Sequence, residues 1–139
     1  MKACIRVMVL FTVVLLYFAM PKEVYACSCV EYDSIEEQIS ENISTVDAIF
    51  IGTVTDIEEI NEEELTVIFS VSHVWKGPQY KVLVVETYNP ETTAACGFPF
   101  RVGGAYIVFA YGSDYLLSTG TCTATSASRG DIKIKLRKC

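Results

Sequence analysis

The chain has 139 residues, of which 17 are acidic and 11 basic, giving a formal net charge of −6. This length fits one domain with a modest hydrophobic core, to which cross-links would add noticeable stability. The acidic balance argues against nucleic acid and anionic membranes as partners, because both require clustered lysine and arginine. No glycine-rich phosphate loop and no nucleophile–base pair stands out in the sequence, so we expect neither an enzyme nor a cofactor.

The first 26 residues have the layout of a secretory signal peptide. Lys2 and Arg6 form a basic start, an apolar run covers 7–20, and the polar segment 21–26 ends in the small Ala26. The apolar run is too short and too unevenly flanked to be preferred as a membrane-spanning helix, and no later run is long enough. Cleavage after Ala26 predicts a secreted, extracellular protein with no transmembrane segment. Its 16 acidic and 8 basic side chains would give a net charge of about −8.

Cysteines dominate the predicted mature N-terminus. Cys4 lies in the leader, and the mature chain keeps five others: Cys27, Cys29, Cys96, Cys122 and Cys139. An odd number in an oxidising compartment leaves one cysteine without a partner. The residues alone leave two uses open for Cys27, namely an ordinary disulfide or acylation that would anchor the protein to a membrane. The C-x-C spacing differs from the C-x-x-C of thioredoxin-like redox sites. No Cys/His spacing around His73 indicates a metal site of the protein's own.

The first predicted element of the mature chain is a short helix over 33–43. Ser34 and Glu37 form a capping-box pattern at its start. One apolar stripe is predicted to face the core, because isoleucines recur at i, i+4 and i+8: Ile35, Ile39 and Ile43. The sequence at 42–44 is a formal glycosylation sequon, which matters only in a eukaryotic secretory route.

Five short strands are predicted after the helix. They cover five β-branched or aromatic segments: 48–55, 65–75, 80–86, 105–111 and 115–118. Gly52 marks a bulge in the first strand. The segment 56–64 carries six acidic residues in nine and predicts a solvated, mobile hairpin loop. A long loop covers 87–104, and the alternating tail at 131–136 fits an edge strand. This pattern predicts a mostly β protein, a five-stranded antiparallel barrel of the OB-fold type with one or two short helices.

Five short motifs follow one another in a specific order along the mature chain. They are Cys27-Ser28-Cys29-Val30, Ile49-Phe50-Ile51-Gly52-Thr53, Val74-Trp75-Lys76-Gly77, Ala95-Cys96-Gly97-Phe98 and Thr121-Cys122. Their order and spacing resemble the N-terminal netrin-like domain of the tissue inhibitors of metalloproteinases. The resemblance covers 27–125, followed by a basic tail at 126–139. It implies an OB-type barrel with two disulfides, Cys27–Cys96 and Cys29–Cys122.

The resemblance also implies a function, the inhibition of an extracellular zinc metalloendopeptidase. Cys27 would bind the protease's catalytic zinc through its α-amino and carbonyl groups, which form a five-membered chelate and displace the zinc-bound water. The amine must lose its proton, which an α-amino pKa near about 8 allows at neutral pH. An edge on both sides of the substrate groove would complete the contact: Ser28, Cys29 and Val30 on one side, and Thr93, Ala94 and Ala95 on the other.

The cysteine content departs from this family, and some other features of the sequence are interpreted as structural rather than functional. The family has a further disulfide from the helix and a second cysteine-rich domain, which this sequence does not show, so Cys139 is expected to be unpaired or to link two chains. Trp75, Phe98 and Phe100 are predicted to pack at the ends of the barrel. The tripeptide at 129–131 is interpreted as a chance match to an adhesion motif. The alternative function is a netrin-like binding module, secreted or lipid-anchored, that inhibits no protease.

Overall fold

The computed structural model describes residues 27–92, 95–114 and 116–128. Within these ranges the chain forms one helix and six strands: α1 (Ile35–Thr45), β1 (Ala48–Glu59), β2 (Glu64–Lys76), β3 (Val82–Tyr88), β4 (Ala105–Ser113), β5 (Leu116–Ser118) and β6 (Ser126–Ala127). The predicted leader with its cleavage site, the tail strand at 131–136 and Cys139 lie outside the described residues. Among the residues described, no helix has the length and apolar character needed to cross a membrane.

Strands β1 to β5 close into a small barrel. The order of neighbours is β1-β2-β3-β5-β4, and β4 returns to pair with β1 from Ala48↔Ala110 to Thr53↔Ala105. The predicted mostly β, OB-like barrel is therefore confirmed. One pairing differs from the antiparallel expectation, because β3 and β5 run parallel with Val85 opposite Leu117. The chain reaches β5 through β4, which is antiparallel to it, so β5 runs in the direction of β3.

Side chains alternate across β1 and β4 and build two separate cores. Phe50 and Val108 point into the barrel, whereas Ile51 and Phe109 point outward beneath α1. The barrel core contains eleven buried residues: Ala48, Phe50, Val54, Val67, Phe69, Leu83, Val85, Tyr106, Val108, Ala110 and Leu117. Because both faces of these strands are buried, 48–51 is a continuous apolar run with no alternation of polar residues.

Helix α1 begins with the predicted cap. Ser34 Oγ accepts a hydrogen bond from the backbone N–H of Glu37 at 3.1 Å. The Glu37 carboxylate accepts in return from the N–H of Asp33 at 3.0 Å, one residue before the position that a standard capping box uses. The first bond satisfies a backbone donor that the first helical turn leaves without a partner, and the second ties the residue before the cap to that turn.

The buried face of α1 is shorter than predicted. Ile39 is buried and Ile43 packs against the second core, but Ile35 is 59% exposed. The three-isoleucine stripe is therefore wrong at Ile35, because the packing contacts begin one turn later. At the other end, Lys76 Nζ donates to the carbonyl oxygen of Ile43 at 3.1 Å, which places a cation against the negative end of the helix dipole.

The acidic segment 56–64 forms a hairpin as predicted, but its loop is shorter than predicted, because five of the nine residues belong to the strands and only 60–63 form the turn. β1 continues to Glu59 and β2 begins at Glu64, with cross-strand pairs up to Glu59↔Leu65. Asn61 stabilises the turn, since its Oδ1 accepts from the N–H groups of Glu63 and Glu64 at 2.8 and 3.0 Å. The exposed acidic side chains do not prevent pairing, because the ladder forms through backbone groups.

The bulge predicted at Gly52 is confirmed. The register of β1 against β2 shifts between Ile51 and Gly52. A Cβ at Gly52 would lie 3.0 Å from the carbonyl oxygen of Ser70, so the two backbones approach closely there.

The predicted aromatic positions fall in two places. Phe98 and Phe100 pack against the barrel core, where their rings contact Tyr106 at centroid distances of 5.8 and 4.9 Å. Trp75 packs against the second core beneath α1, with the ring of the exposed His73 at 4.6 Å. The three aromatics were predicted to share one environment at the ends of the barrel. Trp75 differs from this prediction, because it packs against the core outside the barrel.

Candidate functional site

The segment Cys27–Val30 lies at the surface and has no regular secondary structure. Val30 is 74% exposed, and a terminal segment of this kind frays unless something fixes it. Two disulfides fix it, Cys27–Cys96 and Cys29–Cys122, with Cα–Cα distances of 5.2 and 5.1 Å. They are the pairs that the resemblance implies. Their sequence separations are 69 and 93 residues. In the chain-entropy model each such loop contributes about 4 kcal/mol.

The two anchor points on the barrel are joined to each other. Thr121 donates its backbone N–H to the carbonyl oxygen of Cys96 at 2.8 Å. Two glycines allow close backbone approaches on these segments, one at this contact and one against β3. A Cβ at Gly120 would overlap the Cys96 carbonyl oxygen, and one at Gly97 would overlap the carbonyl oxygen of Tyr88. The segments that carry Cys96 and Cys122 therefore form one tightly packed support for the N-terminal segment.

Buried threonines fix the loop that carries Cys122. Thr119 and Thr125 lie beside β4, between the stretches of β4 that pair with β5 and with β6. Thr125 Oγ1 accepts from the N–H of Phe109 at 2.9 Å, and Thr119 Oγ1 donates to the carbonyl oxygen of Phe109 at 2.7 Å. Thr123 Oγ1 donates to the Gly120 carbonyl oxygen at 2.9 Å. At this part of β4 the hydroxyls of Thr119 and Thr125 bond the backbone groups that a neighbouring strand would otherwise pair with. Together with Thr123 they hold the loop in position.

Helix α1 holds the same loop from the other side. Asn42 Oδ1 accepts from the N–H of Ala124 at 2.9 Å, and Gln38 Nε2 donates to the Thr123 carbonyl oxygen at 3.4 Å. Asn42 is only 3% exposed. The sequon at 42–44 is therefore part of the structural support in the folded chain, and its asparagine is not accessible to a glycan.

The four disulfide sulfurs form one compact cluster. Cys27 Sγ lies 3.8 Å from Cys29 Sγ and 3.7 Å from Cys122 Sγ, although none of these pairs is bonded. All four sulfur atoms lie within 4.8 Å of one another, and the hydroxyl of Thr121 is 3.5 Å from Cys27 Sγ. Sequence spacing gave no indication of this cluster, because it joins a C-x-C pair to two cysteines that are distant in the chain.

A cavity of about 340 Å³ opens beside the cysteine support. Two carboxylates and two aromatic side chains contribute to its walls, together with both barrel cysteines: Glu64, Glu86, Tyr88, Tyr111, Cys96 and Cys122. Tyr88 and Tyr111 are 48% and 42% exposed, so both side chains remain partly accessible to solvent. Carboxylates beside aromatic rings suit a cationic group, through charge and through the faces of the rings.

The second half of the predicted inhibitory edge is only partly described. Ala95 is half-buried and precedes Cys96, whereas Thr93 and Ala94 lie outside the described residues. The segment before them contacts the acidic hairpin. Asn89 donates its N–H to the Glu63 carbonyl oxygen at 2.7 Å, and Thr92 donates its hydroxyl to the Glu62 carbonyl oxygen. The tripeptide at 129–131 and Cys139 also lie outside the described residues.

Comparisons with known proteins add no assignment. No protein-family model matches the sequence, and the search of characterised proteins finds no match.

Proposed function

We propose that this chain is a secreted inhibitor of zinc metalloendopeptidases that acts through the N-terminus created by cleavage before Cys27. The observation that supports this most is the double attachment of Cys27–Val30 to the joined segments around Cys96 and Cys122. An exposed segment that is fixed in advance loses little conformational entropy on docking, so a short wedge can bind tightly.

The chemistry of Cys27 fits this role. Its sulfur is used in the disulfide, so the α-amino nitrogen and carbonyl oxygen remain as the donor atoms for a partner's metal. A catalytic zinc keeps one coordination position for water, and a five-membered N,O chelate can take that position. The resemblance of the five sequence motifs to the tissue inhibitors of metalloproteinases supports the same mechanism, with Ser28 next along the substrate groove and Ala95 on the opposite side.

One added residue tests the proposal. The chain beginning at Cys27 and a version with a single extra alanine before it are titrated against a panel of zinc endopeptidases. We expect the native form to inhibit at least one protease and the extended form to inhibit none, because an amide nitrogen cannot act as the amine donor. A chain with Thr53→Val, at an exposed position of β1, is the matched control and should inhibit like the native form, since it keeps the free amine, both disulfides and the whole proposed edge.

Two outcomes would contradict the proposal. Equal inhibition by the native and the extended forms would exclude chelation as the mechanism. Recovery of the exported protein with a lipid on Cys27, or with any other first residue, would remove the free amine on which inhibition depends.

A second candidate function is a binding module that inhibits no protease. The cavity lined by Glu64, Glu86, Tyr88 and Tyr111 favours it, because these side chains suit a cationic group of a partner. In that case neither the native nor the extended form inhibits any protease of the panel. A short lysine-rich peptide would then perturb the amide resonances of the cavity residues in both forms alike.

A further inference from the structure

We propose that the chain, once its two disulfides are reduced, binds one Zn²⁺ through the four thiolates of the sulfur cluster: Cys27, Cys29, Cys96 and Cys122. The proposal concerns the reduced form and does not depend on protease inhibition. It assigns a second use to residues that act as cross-links in the oxidised form.

The spacing of the sulfurs carries the argument. Tetrahedral zinc with four thiolate ligands has Zn–S bonds of about 2.3 Å, so its sulfurs lie about 3.8 Å apart. Cys27 Sγ already lies 3.8 Å from Cys29 Sγ and 3.7 Å from Cys122 Sγ. All four sulfurs fall within 4.8 Å of one another. Breaking the two S–S bonds lets each bonded pair separate to the same tetrahedral edge.

The surroundings divide the four ligands into a fixed pair and an adaptable pair. Cys96 and Cys122 lie on segments joined by the Thr121–Cys96 backbone hydrogen bond. Cys27 and Cys29 lie on a segment without strand pairing, which can shift to complete a tetrahedron. The Thr121 hydroxyl, 3.5 Å from Cys27 Sγ, can donate to a thiolate and offset part of the charge of −2 on a Zn(Cys)₄ centre.

The conversion between the two forms balances in a simple way. Two molecules of a dithiol reductant each supply two electrons to one disulfide, and each is itself oxidised to a cyclic disulfide. The protein gains four thiols, and Zn²⁺ then displaces four protons from them. Zinc therefore holds the N-terminal segment on the barrel in the reduced form, as the disulfides do in the oxidised form.

Metal titration of the reduced chain tests this. Full-length chain carrying Cys4→Ser and Cys139→Ser keeps only the four cluster thiols; it is reduced with a phosphine without air and titrated with Co²⁺, then Zn²⁺. We expect one Co²⁺ per chain, with the visible bands of tetrahedral cobalt and a thiolate-to-cobalt charge-transfer band, and displacement by one Zn²⁺. Cys29→Ala in the same background should lose the four-thiolate spectrum.

Two further measurements separate a folded site from cysteines that merely bind metal. Thr121→Val should weaken cobalt binding about tenfold, because it removes the hydroxyl that donates to the Cys27 thiolate, whereas Thr53→Val on β1 should leave the affinity unchanged. Zinc should raise the Tm of the reduced chain, followed by its β-sheet circular dichroism, as more zinc is added. Three results would each overturn the proposal. The reduced chain could lack the tetrahedral cobalt spectrum, the Cys29→Ala variant could keep that spectrum, or metal could bind without the β-sheet circular dichroism of the barrel.

Discussion

Phe109 shows how single hydroxyl groups hold the candidate site together. Its side chain is buried in the second core, and on the side of β4 away from β1 its backbone N–H and C=O face Thr125 and Thr119. Both threonines are buried, at 6% and 8% exposure. Buried backbone groups need partners, and here two side chains supply them at a gap between strands. The same side chains position the loop that carries Cys122.

Removing one of these hydroxyls should therefore lower stability. Thr125→Val keeps the shape of the side chain but leaves the Phe109 N–H without its acceptor. We expect a loss of about 1–3 kcal/mol in the free energy of unfolding, measured by urea denaturation. Thr53→Val, at an exposed position of β1, is the matched control and should change stability by less than about 0.5 kcal/mol. Equal effects of the two changes would mean that the hydroxyl of Thr125 is not the partner that matters.

At the scale of single elements, α1 connects the sequence most directly to the site. Its cap fixes where the helix begins, and its buried face places Gln38 and Asn42 against the loop 123–124. Loss of the cap weakens the first turn, which lies just after the disulfide-bonded segment. The helix thus supports the site through local capping as well as through packing.

The cap can be tested with two serine substitutions in the same helix. Ser34→Ala removes the acceptor of the Glu37 N–H and should cost about 1 kcal/mol of stability. Ser40→Ala replaces an exposed serine in the helix interior and should be neutral or slightly stabilising, because alanine has the higher helix propensity. Thermal unfolding of both variants gives the comparison, and a Ser40→Ala variant as unstable as Ser34→Ala would refute the role of the cap.

Local patterns predicted most of the elements, and tertiary contacts account for the differences. The β-branched composition of 48–55 and the Ser34 cap are properties of neighbouring residues, so sequence indicated them. The acidic charges of 56–64 indicated a hairpin loop over the whole segment, but cross-strand backbone bonds extend β1 and β2 into it and leave only 60–63 as the turn. The parallel β3–β5 pairing and the threonine bonds at 119–125 join residues distant in sequence, and no local pattern records them.

For the molecule as a whole, the barrel and the N-terminal segment depend on the two disulfides to different degrees. The barrel has its own core of eleven buried residues, whereas Cys27–Val30 contributes none of them. Strand pairing and apolar burial can therefore hold the barrel together without the cross-links, at reduced stability. The edge has no such independent support.

Removing one disulfide should separate these two contributions. Cys29→Ser combined with Cys122→Ser should lower the free energy of unfolding by about 2–5 kcal/mol while the barrel keeps its circular dichroism. The double variant should also inhibit proteases more weakly than the native chain, because one of the two attachments of the N-terminal segment is lost. Ser28→Ala, in the same segment, should leave stability within about 0.5 kcal/mol of the native value. Unchanged stability in the double variant would show that the barrel alone determines unfolding.

The wide spacing of the paired cysteines has a consequence for maturation. Cys27 and Cys29 are two positions apart, while their partners lie 69 and 93 positions away. In a chain whose sheet has not yet formed, the nearest thiol to each of these two cysteines is the other one, so early oxidation favours a small, non-native ring between them. In the folded barrel the distant partners are held within bonding range, with Cα–Cα distances of 5.2 and 5.1 Å. Molecules that carry both native disulfides therefore folded before they were oxidised, whereas a disulfide between Cys27 and Cys29 marks molecules that were oxidised first. Mapping the disulfides of the secreted protein would distinguish the two populations.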